Sequence, residues 1–315
     1  MSSSRAVLFP GQGSQSPGMG KALAEASAAA RAVFEEVDDA LSQKLSALMF
    51  EGPADELTLT ANAQPAIMAH SLAVLRVLET DADVRFSGIA RAAAGHSLGE
   101  YSALCAAGVV SLAETAKLLR IRGDAMQAAV PVGEGAMAAL LGLDFEAADA
   151  AAKAGSADGG VCVCANDNAP GQVVISGDKA AVERAIEAAK AAGAKRGMLL
   201  PVSAPFHSPL MQPAAERMAD ALAETGFDAP TVPIVTNVTA GEETNPARLK
   251  ALLVEQVTGM VRWRESILGM ADSGADQFVE LGGKVVAPMV KRIVKDRETA
   301  SLVTMDDIEA FAKTL

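Results

Sequence analysis

Aromatic side chains are scarce in this sequence: one tryptophan, one tyrosine and nine phenylalanines among 315 residues, although 50% of the chain is hydrophobic. A core built around large rings is thereby excluded, and helices packed through alanine and branched aliphatic side chains are expected. Cysteine is rarer still. Cys105, Cys162 and Cys164 cannot build a disulfide framework, and the last two alternate along an expected strand as small apolar residues do. No metal site is expected, because thiolate ligands need closer company. No apolar run reaches the roughly 20 residues that cross a bilayer, and the stretch before the first Pro-Gly break is too short for a signal peptide. A cytoplasmic protein without a membrane partner is the expectation. Lys and Arg number 27 against 39 Asp and Glu, a net charge of −12. That balance argues against generic nucleic-acid binding, whose phosphate contacts need clustered cations.

The length suits roughly two domains, or one large domain with an insertion. Arg5 to Phe9 has the pattern of a strand running into the turn Pro10-Gly11-Gln12-Gly13-Ser14-Gln15. Helical patterns follow over Lys21 to Val37 and Gln64 to Leu78, then a strand over Ile89 to Ala94 and more helix to about Gln127. This alternation predicts an α/β domain with a mostly parallel sheet. Between Gly135 and Pro201 the rhythm becomes β-α-β-β-α-β, the ferredoxin-like order. Its strands are expected at Ala136 to Leu141, Gly160 to Ala165, Gln172 to Ser176 and Gly197 to Leu200, and its helices at Phe145 to Ala154 and Lys179 to Ala192. The α/β pattern then resumes, with helices from Pro213 and Pro246, strands near Pro233 and Gln277, and a basic helix near Lys291. The expected fold is α/β: a hydrolase-like large domain of residues 1–130 and 202–315, with a ferredoxin-like small domain inserted at residues 131–201.

One pentapeptide carries most of the chemistry. In Gly95-His96-Ser97-Leu98-Gly99 an apolar run ends in Gly-x-Ser-x-Gly and a helix-forming stretch follows, the pattern of a nucleophile elbow. The glycines permit a tight reversal that lifts the central hydroxyl out of the sheet. The same turn sets the N–H of Leu98 at a helix start, where an anion is favoured. A serine hydroxyl needs a base, and the chain offers three histidines. His96 adjoins Ser97 and projects in another direction. His70 sits in an apolar helical pattern, as a core histidine would. His207 lies in the proline-bounded loop Ser203-Ala204-Pro205-Phe206-His207-Ser208-Pro209, where rigidly placed functional residues concentrate. No carboxylate between Ser97 and His207 stands out as a third member, so a backbone carbonyl is the alternative orienting group.

These residues, with Phe9 to Gln15, Glu100-Tyr101, Arg122-Gly123 and Met126-Gln127, Asn168 to Gln172, Ser203 to Met211, Gln256 and Glu280 to Ile293, place the chain beside a known group. End to end it resembles the malonyl-CoA:acyl carrier protein transacylases of fatty acid synthesis and the acyltransferase domains of polyketide synthases. The resemblance implies a ping-pong transfer of malonyl from malonyl-CoA, through an ester on Ser97, to the pantetheine thiol of acyl carrier protein. It makes His207 the general base and then acid, the N–H groups of Gln12 and Leu98 the oxyanion hole, and the Gln256 carbonyl the support of the histidine ring. Arg122 would clamp the free malonyl carboxylate through its planar fork, and Phe206 would leave little room for a methyl branch. The segment Glu280-Leu281-Gly282-Gly283-Lys284 departs from many relatives, which carry a further residue between the glycines. No cofactor is implied, since malonyl-CoA is a substrate, and the expected partners are acyl carrier protein and the CoA thioester, with a monomer as the assembly. Carrier proteins are acidic, so a chain of this charge needs a local basic face. Lys195-Arg196, Arg262 with Arg264, and Lys291-Arg292 are the candidates. A thioesterase and a non-catalytic carrier-protein scaffold are the competing readings.

Overall fold

Alternation along Arg5–Phe9 (β1) sets the layering: Val7 and Phe9 project into one apolar cluster and Ala6 and Leu8 into another, so the strand is covered on both faces. The computed structural model describes residues 4–202 and 204–315. Met1 to Ser3 and Ser203, the first residue of the predicted histidine loop, lie outside the described residues.

After β1 come the helices Lys21–Ala26 (α1), Ala28–Leu41 (α2), Leu45–Glu51 (α3), Ala54–Thr58 (α4), Thr60–Asp81 (α5) and Phe86–Ile89 (α6), then the strand Ala92–Gly95 (β2). The helix expected over Lys21 to Val37 is two helices, because the Ser27 hydroxyl accepts the N–H of Ala30 and starts the second. The strand expected from Ile89 begins only at Ala92, since the preceding turn is helical and buries Phe86 and Ile89. Next are Gly99–Ala106 (α7) and Leu112–Ala128 (α8). A smaller unit follows: Gly135–Leu141 (β3), Phe145–Ser156 (α9), Cys162–Ala169 (β4), Gln172–Asp178 (β5), Lys179–Ala191 (α10) and Arg196–Leu199 (β6). The chain closes with Gln212–Glu224 (α11), Ile234–Val235 (β7), Glu242–Glu243 (β8), Pro246–Thr258 (α12), Trp263–Asp272 (α13), Gln277–Leu281 (β9), Ala287–Ile293 (α14), Glu298–Leu302 (β10) and Met305–Ala312 (α15).

The strands form a six-stranded sheet in the order β10-β9-β1-β2-β7-β8, parallel except for its last pair. A separate antiparallel sheet of four strands runs β4-β5-β3-β6, with α9 and α10 closing its core over Leu140, Ile175 and Val182. In the large sheet β2 lies on one side of β1 and β9 on the other, so the chain diverges at the carboxyl end of β1. Such a switch point opens a crevice in an α/β sheet. Phe9 pairs with Gly95, which sets the Gln12 turn directly beside Ser97.

β4 runs on past the expected Ala165, paired to β5 as far as Ala169 across two irregularities in register, and its far half also meets the other unit. Asn166 bridges in parallel to Val261, and the Asp167 N–H donates to the Val261 carbonyl at 3.0 Å. Asn166 and Asn168 are thereby carried into the crevice. The Gly282-Gly283 segment is set by Glu280, whose buried carboxylate accepts the N–H groups of Val285, Val286 and Ala287 at the start of α14. No described helix is long and apolar enough to cross a membrane.

Candidate active site

The turn between β2 and α7 is tight enough to dictate its residues. A Cβ on Gly95 would sit 1.8 Å from the Gly99 carbonyl carbon, and one on Gly99 would sit 2.5 Å from the Phe9 carbonyl oxygen. Both positions therefore require glycine, and the chain between them carries Ser97 at φ 53°. That left-handed conformation costs a serine about 1 kcal/mol or more and persists only where neighbours enforce it. Asn237 is the enforcing neighbour: its Oδ1 accepts the Ser97 N–H at 2.7 Å and its Nδ2 donates to the Gly95 carbonyl at 2.7 Å.

Ser97 Oγ lies 2.7 Å from His207 Nε2. The other ring nitrogen, Nδ1, faces the carbonyls of Gln256 at 2.9 Å and Gly259 at 3.1 Å. Two acceptors there assign the proton to Nδ1 and leave the Nε2 lone pair toward the serine hydroxyl. Burial, with the Arg122 cation adding to it, lowers the His207 pKa to about 3, so the ring is neutral and able to accept a proton at pH 7. Among the described residues no carboxylate touches it. The other histidines separate as the sequence suggested. His96 Nε2 pairs with Asn168 Oδ1 at 2.8 Å and its ring stands edge-on to Trp263, while His70 is a buried core histidine held at a pKa of about 4 by desolvation.

Arg122 enters from α8 and is 1% exposed. Its guanidinium donates to Gln64 Oε1 at 2.7 Å, Gln256 Oε1 at 2.9 Å and Ser97 Oγ at 3.1 Å, and it lies over the Tyr101 ring at 5.7 Å. Gln256 reaches further than its backbone carbonyl alone. Its Nε2 donates to the Ser97 carbonyl at 3.0 Å and to Glu100 Oε2 at 2.8 Å. Glu100, Gln64 and Asn237 were missed at the level of sequence. Only Glu100 left a signal there, as a charged residue in the first turn of an otherwise apolar helix behind the elbow.

A cavity of about 330 Å³ lies between the two sheets and is lined by Gln12, Ser97, Phe206 and His207 from one and Met137, Asn168 and Val174 from the other. A recess of about 20 Å³ continues to Gln12, Gln64, Leu98, Arg122 and Phe206. Every predicted site residue except Gln256 lines one of these two spaces, and Gln256 stands behind them. The N–H groups of Gln12 and Leu98 bond to no described residue. A larger groove of about 700 Å³, beside His70 and Lys284, holds none of the predicted residues. No group of three or more His, Cys, Asp or Glu side chains converges as a metal set among the described residues.

A strained serine on a buried neutral histidine, with an arginine at its side and unengaged N–H groups nearby, is equipped for acyl transfer. The family described as Acyl transferase domain matches residues 7–305. This chain belongs to the acyl transferase family. Among curated relatives, it is 46% identical over 312 residues to the malonyl CoA-acyl carrier protein transacylase of Bacillus subtilis, covering 98% of this chain and 96% of that one. The enzyme of the same name from Escherichia coli K12 is 47% identical, with coverage of 98% and 99%. Among solved structures, the acyl-carrier-protein-S-malonyltransferase of Bartonella henselae superposes with a TM-score of 0.96 at 55% identity and 98% coverage of both chains. A malonyl-transacylase in complex with its type II PKS acyl-carrier protein matches with a TM-score of 0.95 at 40% identity, covering 99% of this chain and 100% of that one.

Proposed function

We propose that this acyltransferase moves malonyl from malonyl-CoA to the phosphopantetheine thiol of holo acyl carrier protein, supplying extender units for fatty acid synthesis. One observation carries the reading: Ser97 Oγ sits between a proton acceptor, His207 Nε2 at 2.7 Å, and a buried cation, Arg122 at 3.1 Å. His207 takes the hydroxyl proton as Ser97 attacks the thioester carbonyl. The N–H groups of Gln12 and Leu98 hold the resulting oxyanion, a contribution of roughly 3 kcal/mol per donor in acyl transfer. Collapse breaks the C–S bond, His207 returns the proton to the departing CoA sulfur, and malonyl-Ser97 remains. The carrier-protein thiol then attacks that ester with His207 in the same two roles. Arg122 exchanges its bond to Ser97 Oγ for a bidentate pair with the malonyl carboxylate, Gln256 supports the ring, and Phe206 narrows the space beside it. No cofactor enters the scheme.

The large unit is read as hydrolase-like, residues 1–130 and 202–315, and the unit at 131–201 as an inserted ferredoxin-like domain, with a monomer as the assembly. The strand order of the small unit supports its part of this reading, since β-α-β-β-α-β with the sheet order β4-β5-β3-β6 is the ferredoxin-like arrangement. The three free thiols suit a reducing compartment such as the cytoplasm. Of the candidate basic residues, Arg262 pairs with Glu265 and Arg264 with Asp167, which neutralises them. Lys195, Arg196, Lys291 and Arg292 are left as the face for an acidic carrier protein. Charge reversal at these four should weaken carrier-protein binding, and unchanged affinity refutes the face.

Intact mass spectrometry tests the reaction. With malonyl-CoA the chain should gain one malonyl group, Ser97→Ala should gain none, and holo acyl carrier protein should remove it and become malonylated. An adduct that decays only to free malonate identifies a hydrolase instead, and no adduct at all points to a scaffold.

A further inference from the structure

Glu100 has no place in the scheme above, yet one of its oxygens joins the two residues that hold Ser97, His207 and Arg122. Glu100 is 1% exposed, and its Oε2 accepts the Gln256 Nε2–H at 2.8 Å and the Asn237 backbone N–H at 3.0 Å. These two residues hold the remaining parts. Through its backbone carbonyl Gln256 fixes His207 Nδ1, and through its amide it holds both the Ser97 carbonyl and Arg122. Asn237 clamps the N–H of Ser97 and the carbonyl of Gly95 across the strained turn.

The amide of Gln256 can face two ways, and its neighbours decide which. Glu100 Oε2 and the Ser97 carbonyl are acceptors, so the NH₂ end must lie toward them, and Oε1 then faces the guanidinium as the acceptor Arg122 needs. A reversed amide would set NH₂ against a buried cation and turn its oxygen toward two other oxygens, so that Glu100 Oε2 and the Ser97 carbonyl keep only the backbone N–H groups of Asn237 and Glu100. We infer that Glu100 is a positioning residue for acyl selection: its carboxylate fixes the Gln256 amide, which aims Arg122 at the acyl group and keeps Ser97 in register with His207.

The inference rests on the proposed malonyl transfer for its acyl group but not for its geometry, and two variants separate reach from charge. Glu100→Gln keeps the length and an acceptor oxygen, whereas Glu100→Asp keeps the charge but falls one methylene short of Gln256. Rates of Ser97 acylation would be measured with malonyl-CoA and with acetyl-CoA, beside the rate of Ser97 labelling by a fluorophosphonate and a thermal melt. Loss of register of about 1 Å costs on the order of 100-fold, so Glu100→Asp should lose about that factor with malonyl-CoA at saturation. Its preference for malonyl over acetyl should fall about tenfold, the size of one misplaced specificity contact. Fluorophosphonate labelling should slow in parallel, and Glu100→Gln should stay within about threefold of the parent in all three assays. A merely structural role would lower the melting temperature and leave the acyl preference unmoved. The inference is overturned if Glu100→Asp keeps the parent's labelling rate and preference, or if Glu100→Gln loses more than Glu100→Asp. If the parent chain labels with fluorophosphonate yet refuses malonyl-CoA, the proposed function fails, while the labelling rates of the two variants still decide the role of Glu100.

Discussion

Removing Arg122 should change which acyl group the enzyme accepts more than how fast it acylates. The guanidinium is buried and donates to Gln64, Gln256 and Ser97 Oγ in the free enzyme. A malonyl carboxylate in the adjoining recess can take two of its N–H groups in parallel. Charge-assisted hydrogen bonds contribute about 1.5–3 kcal/mol each, so a bidentate pair contributes about 3–6 kcal/mol. At 1.4 kcal/mol per decade this is roughly 10²- to 10⁴-fold in kcat/KM for malonyl-CoA. Acetyl-CoA has no carboxylate, so with it Arg122 keeps its bonds to Ser97 and Gln256 and the loss is only what those contribute, whereas with malonyl the Ser97 bond has been exchanged for the carboxylate pair. The ratio of the two kcat/KM values therefore measures the clamp net of that exchanged bond. Arg122→Ala should lower it by about 10²-fold or more, and Arg122→Lys, which keeps the charge without the planar fork, should restore less than about a tenth of the loss. Rapid-quench measurement of acyl-Ser97 by mass gives both rates. Equal falls for the two substrates, or full recovery in Arg122→Lys, refute the clamp.

The buried histidine gives a pH prediction. With its pKa lowered to about 3, His207 stays neutral far below the usual histidine range. In Glu100→Gln, where the neighbouring carboxyl no longer titrates, acylation should stay flat from about pH 8 to about pH 5, since the usual histidine midpoint near 6.5 is absent; an acid limb centred near 6.5 contradicts the buried neutral ring. Glu100 itself is raised to about 7 by burial from an ordinary 4.5, so the folded chain holds its proton where the unfolded chain has released it. Stability from this group is thus fully present below about pH 4.5 and lost as pH rises through about 7. The stability difference between the parent and Glu100→Gln, read from urea melts, should shift against the parent by about 3 kcal/mol across that window. A pH-independent difference counts against it. At the elbow, a methyl on Gly95 meets backbone at 1.8 Å, whereas Gly226 has nothing within 4 Å. Gly95→Ala should cost at least about 3 kcal/mol, or roughly 6 °C in Tm, and Gly226→Ala less than about 0.5 kcal/mol. Similar melting temperatures for the two would show that the turn is not sterically fixed.

What the sequence revealed of this site follows from how local each signal is. Ser97 announces itself because its constraints lie within five residues: the two glycines forbid any side chain and the flanking apolar and helical runs supply strand and helix. His207 needed only elimination among three histidines. Glu100 is adjacent to the elbow, but its role depends on Asn237 and Gln256, which lie 137 and 156 residues away and meet it only through the order of the sheet. No spacing rule reaches across such distances. Gln64 is hidden for another reason, since an apolar helix gives no hint which of its few polar residues faces a cation. The same limit applies to the fold. The β-α-β-β-α-β unit was legible because each strand carries an apolar run. Glu298–Leu302 was not, being an edge strand with polar residues and only Leu302 buried, so its place beside β9 comes from backbone pairing alone.

That no described carboxylate touches His207 is best understood, under the proposed acyl transfer, through the charge of the acyl group. A third-member carboxylate would stabilise the imidazolium formed during attack, but it would put a full negative charge within a few ångströms of a substrate that is itself anionic. Here two carbonyl dipoles, from Gln256 and Gly259, hold Nδ1 instead. Among the described residues the carboxylate of the cluster is that of Glu100, which is separated from the ring by Gln256, and burial pushes it up to about 7 so that it is partly neutral at physiological pH. Arg122 remains charged, since guanidinium does not deprotonate in proteins. The enclosed site is therefore net positive before substrate arrives, inside a chain that is strongly negative overall. In a low-dielectric pocket the local sign outweighs distant, solvent-screened charges. An anionic acyl group is attracted at close range, and the weaker carbonyl support of the imidazolium is the compromise that leaves room for it.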